Sequence, residues 1–181
     1  MGTKYITSSN NTYKVYTALL TQNGGDDPFP QTSGDLVIGY TYEITDNLAS
    51  DGWDFTNVGA PNNNVGTFFV ATGITPNSWE DGYLLTNSSA PSVTVLENTL
   101  GNIWFTYVDI GVYGVYSSDL FTLDKTALFI GSSFYGDPYG TNFTFFRYND
   151  INQLFIATKD GALSDADDYL YKTPIEIRVY N

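Results

Sequence analysis

The sequence predicts an all-β protein, built as a two-sheet antiparallel sandwich of jelly-roll or immunoglobulin-like type. Three observations lead there. Short runs of β-branched and aromatic residues recur along the chain, separated by Gly, Pro, Asn and Asp at close intervals. No stretch keeps the apolar spacing of an amphipathic helix over a useful length. Aromatic residues reach 17%, with 15 Tyr and 12 Phe, a composition suited to half-buried strands, where the ring packs while a hydroxyl reaches water.

In chain order, Thr3 to Thr7 is a candidate short edge strand. Tyr13 to Gln22 reads as a strand with no breaker inside it, and Asn23 to Pro30 as a linker. Leu36-Val37-Ile38 and Tyr40 to Thr45 are predicted as two strands, or as one bent at Gly39. Asp46 to Asp51 is a loop. Phe55 to Val58 and Thr67 to Ala71 read as strands joined by a glycine–asparagine turn, and Trp79 to Leu85 as one more. Ser92 to Thr99 alternates with the period of a half-buried strand. Further strands are expected at Ile103 to Val108, Gly111 to Tyr116, Thr126 to Gly131, Phe143 to Tyr148 and Gln153 to Thr158, with a Tyr/Gly-rich loop from Ser132 to Thr141. Ser164 to Leu170 is the one passable helix start, with Ser164 as cap and acids in the first turn. The last strand, Pro174 to Tyr180, places Ile175, Ile177 and Val179 on one face and Glu176 and Arg178 on the other.

Composition narrows the function. The 181 residues suit one domain, with room for a small second unit. Cysteine and histidine are both absent, which removes disulfides, thiolate metal sites, the commonest general base and the middle member of a Ser-His-Asp relay. The net charge is −13, and no Lys or Arg occurs between Lys14 and Lys125. Such a surface repels phosphate backbones, so no nucleic-acid partner is expected. The first residues lack the pattern of a secretory signal, and no run is apolar enough for a membrane span. The expectation is a soluble protein made in a cytoplasm.

Two groups of segments carry a resemblance. Tyr42-Glu43-Ile44-Thr45, Asp54-Phe55-Thr56-Asn57-Val58-Gly59-Ala60 and Asn64-Val65-Gly66-Thr67-Phe68-Phe69-Val70-Ala71-Thr72-Gly73 together resemble a module that recurs in structural proteins of tailed and other bacteriophages. The module runs Tyr-x-Ile, Asp-Phe-Thr-x-(Val/Ile)-Gly-Ala, then Asn-x-x-Gly-x-x-Phe-x-Ala-Thr-Gly; Pro61 and the Asn62-Asn63-Asn64 run depart from it only in the turn. Tyr13 to Gln22 and Val93 to Gly101 resemble two consecutive segments of another phage-associated module. Here residues 25–90 separate them. The resemblance therefore implies a discontinuous β-sandwich domain (1–24 and 91–181) with a small β unit (25–90) inserted in one loop. The alternative is one continuous sandwich. It further implies a non-enzymatic virion protein, a capsid-decorating, head-fibre, spike or tail-fibre subunit. Its partners would be its own copies, in a trimer or other symmetric oligomer, and other virion proteins.

Residue chemistry offers less. No Ser-x-x-Lys spacing and no phosphate-cradling glycine loop occurs. Asp46, Asp51 and Asp54 cluster near Trp53, and a glycosidase needs two carboxyls about 5–10 Å apart beside an apolar wall. Asp54 has a simpler task, capping a turn through backbone N–H groups. Asp165, Asp167 and Asp168 are a weak Ca²⁺ candidate that lacks the Gly and terminal Glu of a helix-loop-helix site; their simpler role is to complement a helix start. No other cofactor is expected. Tyr135 and Tyr139 form the most interface-like segment, tyrosine giving rigid amphipathic contact area at small entropic cost. Trp53, Trp79 and Tyr139 are the candidates for stacking on a pyranose, should the chain bind a host surface glycan.

Overall fold

A computed structural model describes residues 12–22, 28–45, 52–80, 83–87, 89–131 and 143–181. The chain is all-β: among the described residues, twelve strands form three four-stranded antiparallel sheets, and no α-helix occurs. The strands are β1 (Tyr13–Thr21), β2 (Phe29–Gln31), β3 (Thr41–Thr45), β4 (Phe68–Val70), β5 (Tyr83–Asn87), β6 (Ser92–Asn98), β7 (Ile103–Asp109), β8 (Val112–Ser117), β9 (Thr126–Ile130), β10 (Phe143–Tyr148), β11 (Gln153–Lys159) and β12 (Thr173–Tyr180). The first sheet has the order β6-β1-β12-β9, the second β10-β11-β8-β7 and the third β2-β5-β3-β4.

Alternation explains the first two sheets. Tyr16, Ala18 and Leu20 of β1 and Ile175 and Ile177 of β12 are buried, as are Phe105, Tyr113, Val115, Leu154 and Ile156 of the second sheet, and all belong to one apolar cluster. Each Leu, Ile, Val or Phe among them contributes roughly 1.5–3 kcal/mol by leaving water. The third sheet has a separate cluster: Tyr42, Ile44, Phe69 and Leu84 from its strands, with Trp53, Phe55, Val58 and Ala60 from the loop that covers them. The stretch that carries the third sheet leaves β1 and re-enters at β6, two strands that pair antiparallel with Thr21 opposite Ser92. Gly39 sits at this crossing. Val93 N–H donates to its carbonyl at 2.9 Å, and a Cβ on Gly39 (φ 87°) would meet the Val93 oxygen at 2.6 Å.

Several local expectations are corrected. Phe29–Gln31, read as linker, is an edge strand paired with β5; an edge tolerates Pro30, which has no N–H to give. Leu36 to Ile38 is not a strand. Leu36 is buried, while Val37 and Ile38 are exposed ahead of a turn at Gly39. Phe55 to Val58 does not pair with Thr67 to Ala71 as a hairpin. Thr56–Val58 is one 3-10 turn ended by Gly59 at φ 116°, and β4 pairs with β3 instead. β6 does not alternate in burial: a bulge against β1 leaves Leu96 exposed, and Val93 is its one buried residue.

The helix start at Ser164 is also absent. Asp160 accepts from the N–H groups of Ala162 and Ser164, both at 2.9 Å, and Leu163 and Asp168 have φ of 65° and 68°. Buried Thr158 then draws the segment back to β11, donating its hydroxyl to the Ala166 carbonyl at 2.5 Å while its carbonyl accepts the Ala166 N–H. Local side-chain hydrogen bonds and tertiary pull outweigh a weak helical propensity.

Candidate functional site

The outward face of the second sheet follows from the same alternation that fills the core. With Phe105, Tyr113, Val115, Leu154 and Ile156 turned inward, Trp104, Tyr116, Phe155, Phe145 and Phe143 point out. Register places them in rows: Trp104 opposite Tyr116 and Tyr116 opposite Gln153, then Gly114 opposite Phe155 and Phe155 opposite Arg147. Phe68 of β4 extends the first row. Its ring stacks on Trp104 at 5.8 Å and 11°, and Trp104 on Tyr116 at 5.9 Å and 14°. Gln153 fixes the far end by donating its amide to the Tyr116 hydroxyl at 2.6 Å. Gly114 makes room: a Cβ there would come within 2.4 Å of the Tyr116 ring. Arg147 lies over Phe155 at 5.2 Å, and Phe143 and Phe145 are 49% and 41% exposed. Stacked rings present edges more than faces, a surface better suited to another protein than to the flat side of a sugar.

Sequence reasoning did not single out this face. Its signal was present in Phe143-Thr144-Phe145-Phe146-Arg147-Tyr148, where apolar rings occupy both phases of the alternation. A strand with one face in the core has no packing need for rings on the other.

The residues the sequence did single out go elsewhere. Tyr135 and Tyr139 lie outside the described residues, as do Asp46 and Asp51. Trp53 is buried and donates Nε1–H to the Asn63 carbonyl at 2.9 Å, so it offers no open ring to a sugar. Trp79 is half-buried, meets Phe55 edge-on at 5.2 Å and donates to the Gly34 carbonyl at 3.1 Å. Asp54 holds the start of the 3-10 turn. It accepts from the Thr56 hydroxyl at 2.6 Å, the Thr56 N–H at 3.0 Å, and the amides of Asn77 and Asn63 at 2.9 and 3.2 Å. The Thr56 hydroxyl and the Asn77 amide, followed by the other two donors, hold its carboxyl well below the usual carboxylate range. A general acid of a glycosidase needs the opposite shift.

The three aspartates proposed for calcium do not converge. Asp165 pairs with Lys159 at 2.6 Å. Asp167 accepts from Gly111 N–H at 2.8 Å and from the Tyr113 and Tyr107 hydroxyls at 3.1 and 3.2 Å. Asp168 meets Gln22 through its backbone N–H. Among the described residues no three acids are grouped to hold a metal ion.

One cleft of about 340 Å³ opens where the third sheet meets the other two, lined by Tyr16, Gly59, Pro61, Val70, Val95 and Ile103 among others. No charged side chain lines it. Tyr16 is buried there and its hydroxyl has no hydrogen-bond partner among the described residues; burial pushes the phenol far above its ordinary pKa, so it stays neutral.

Comparison with known families, with curated proteins and with solved structures gives no match to this chain.

Proposed function

We propose that this chain is a non-enzymatic structural protein of a bacteriophage particle, exposed on its surface and acting through protein–protein contacts. The observation that carries the reading is the order and spacing of three short segments. They are Tyr42-x-Ile44, Asp54-Phe55-Thr56-x-Val58-Gly59-Ala60 and Asn64-Val65-Gly66-Thr67-Phe68-Phe69-Val70-Ala71-Thr72-Gly73, which together resemble the phage module. The finer architecture belongs to the same proposal: a two-sheet sandwich of residues 1–24 and 91–181, with 25–90 inserted as a small β unit. The neighbouring exit and return at Thr21 and Ser92 favour it, because an insertion is tolerated where its ends lie close together. The aromatic outward face of the second sheet supports a contact role, aromatic residues and Arg being enriched at interfaces.

Catalysis has little support. The chain has no histidine, and Asp54 is committed to its turn. A sugar-binding role is also weakly supported, since Trp53 and Trp79 are both engaged within the fold. Mass spectrometry and cryo-EM of intact particles from the encoding virus test the reading. A high, symmetry-related copy number is expected; absence from the particle would overturn it.

A further inference from the structure

The cleft between the third sheet and the other two is built by both regions of the chain. Tyr16 and Ala18 of β1 turn into the core, and Asn98 and Val95 of β6 lie opposite them. The wall that the first sheet gives the cleft is therefore its inward face, with the Tyr16 side chain part of it. Ile103, at the start of β7, closes one side. Pro61 and Val70 come from the third-sheet region, and Val70 packs with the cluster of the first two sheets rather than with that of its own.

Size and chemistry limit what such a cleft can take. Its volume of about 340 Å³ lies at the small end of the range for small-molecule sites, about 300–1,000 Å³. Pro61, Val70, Val95 and Ile103 make apolar walls, and no charged side chain is among the described lining residues. An ion entering there would lose its hydration and gain no counter-charge. The two lining amides are already committed. Asn98 donates to the Gly101 carbonyl at 2.7 Å and accepts from the Leu100 and Gly101 N–H groups at 3.0 Å, and Asn102 donates to the Phe68 carbonyl at 2.8 Å. Tyr16 is different. It is 1% exposed, and its hydroxyl is buried with no hydrogen-bond partner among the described residues. A buried hydroxyl left unpaired is destabilising, and burial keeps its proton in place, so it can donate.

We propose that this cleft binds a small neutral ligand, an apolar body the size of a substituted benzene ring whose carbonyl oxygen accepts from the Tyr16 hydroxyl. The hydroxyl is covered by its neighbours, so the ligand reaches it through small side-chain shifts. Val95, 38% exposed on the edge strand β6, has room to make one. A ligand held there touches both regions and braces the third sheet against the body. The site goes beyond the contact role proposed above and does not depend on it.

Titration of the nitrogen-15-labelled full chain with acetophenone, followed through its amide shifts, tests the proposal, with ethylbenzene as a probe of similar shape that lacks the oxygen. Acetophenone is expected to shift the amides of the lining residues Gly59, Val70, Gly101 and Ile103, and to bind Tyr16→Phe about tenfold more weakly than the parent. Ethylbenzene is expected to lose nothing in Tyr16→Phe. Val95→Phe, which fills the mouth from an edge strand, is expected to weaken both probes, and the same spectra show that each variant is folded. Lining amides that stay unmoved by acetophenone would overturn the site, as would binding unaffected by Val95→Phe. Acetophenone that binds Tyr16→Phe as well as it binds the parent, or equal losses for the two probes in that variant, would overturn the hydrogen bond that defines the ligand.

Discussion

The two buried clusters among the described residues are held by different means. In the first, most inward side chains come from long paired strands, as in the eight-residue register that runs from Tyr13 opposite Tyr180 to Leu20 opposite Thr173, with Leu100, Phe121 and Leu170 added from loops. In the second, the strands are short, and Trp53, Phe55, Val58 and Ala60 reach the core from a loop. Short polar side chains hold that loop. Asn63 accepts the Phe55 N–H at 2.9 Å, Asn57 accepts the Asn77 N–H at 3.0 Å, and Asp54 gathers four donors. A segment that joins no ladder must still satisfy its backbone groups. Asp and Asn do this for the covering loop of the third sheet; in the rest the long strands satisfy one another, and Asn98, Asp160 and Asp167 do it only at the turns between them.

Truncating one core ring in each region is the strongest way to break that comparison. Phe105 and Phe69 are both fully buried, so Phe105→Ala and Phe69→Ala are each expected to cost about 3–5 kcal/mol. If the clusters are separate cooperative units, hydrogen exchange in Phe69→Ala speeds up in β3, β4 and β5 while β1 and β12 keep their protection. Equal loss of protection across all three sheets would show a single unit and end the distinction.

The same contrast explains what the sequence could disclose. Tyr13 to Gln22, Ile103 to Val108 and Gln153 to Thr158 are legible because inward and outward residues alternate in long pairings, and these strands appear close to their predicted bounds. Phe55 to Val58 has the same apolar and β-branched flavour. Its fate is set by Asn63, whose hydrogen bonds to Phe55 and Asp54 span eight and nine residues and leave no periodic trace. Ser164 to Leu170 fails for a related reason: Thr158 takes the Ala166 carbonyl that a helix would need, and Gly111, distant in sequence, holds the Asp167 carboxylate. The outward aromatic face was half legible. Phe143 and Phe145 were in view, but that Trp104, Tyr116 and Phe68 would line up depended on strand order, which alternation does not fix.

Removing one hydroxyl separates the means by which loops are held in the body. Thr158 is fully buried and donates to the Ala166 carbonyl; Thr158→Val keeps its shape and removes the donor. A loss of about 1–3 kcal/mol is expected, read as a lower urea midpoint at unchanged slope. No loss would mean that the ladder alone fixes residues 160–172. At the junction of the two regions the sign reverses. The Tyr16 hydroxyl has no partner among the described residues, so Tyr16→Phe is expected to stabilise the chain by about 1 kcal/mol. A destabilised Tyr16→Phe would mean that something in the cleft satisfies that hydroxyl.

The smallest expected effect falls on Asp54 and sharpens the comparison through pH. Its donors keep the folded carboxyl well below its ordinary value, whereas the unfolded chain titrates near the reference value of about 3.9. A carboxyl depressed in this way contributes stability that is fully present above the unfolded value and is lost as pH falls toward the folded one. Solvent screens an exposed carboxylate, so the change is modest. It should nevertheless be local. Amide protection around Thr56, Asn63 and Asn77, taken relative to the intrinsic exchange rate at each pH, is expected to hold steady from neutral pH down to about 4, then to fall with further acid, while that of β1 and β12 is unchanged over the same interval. Asp54→Asn removes the titrating group and should leave that loop without its acid response. If Asp54→Asn loosens with acid as the parent does, another group carries the titration, and the account of Asp54 as the acid-sensitive centre of that loop is wrong.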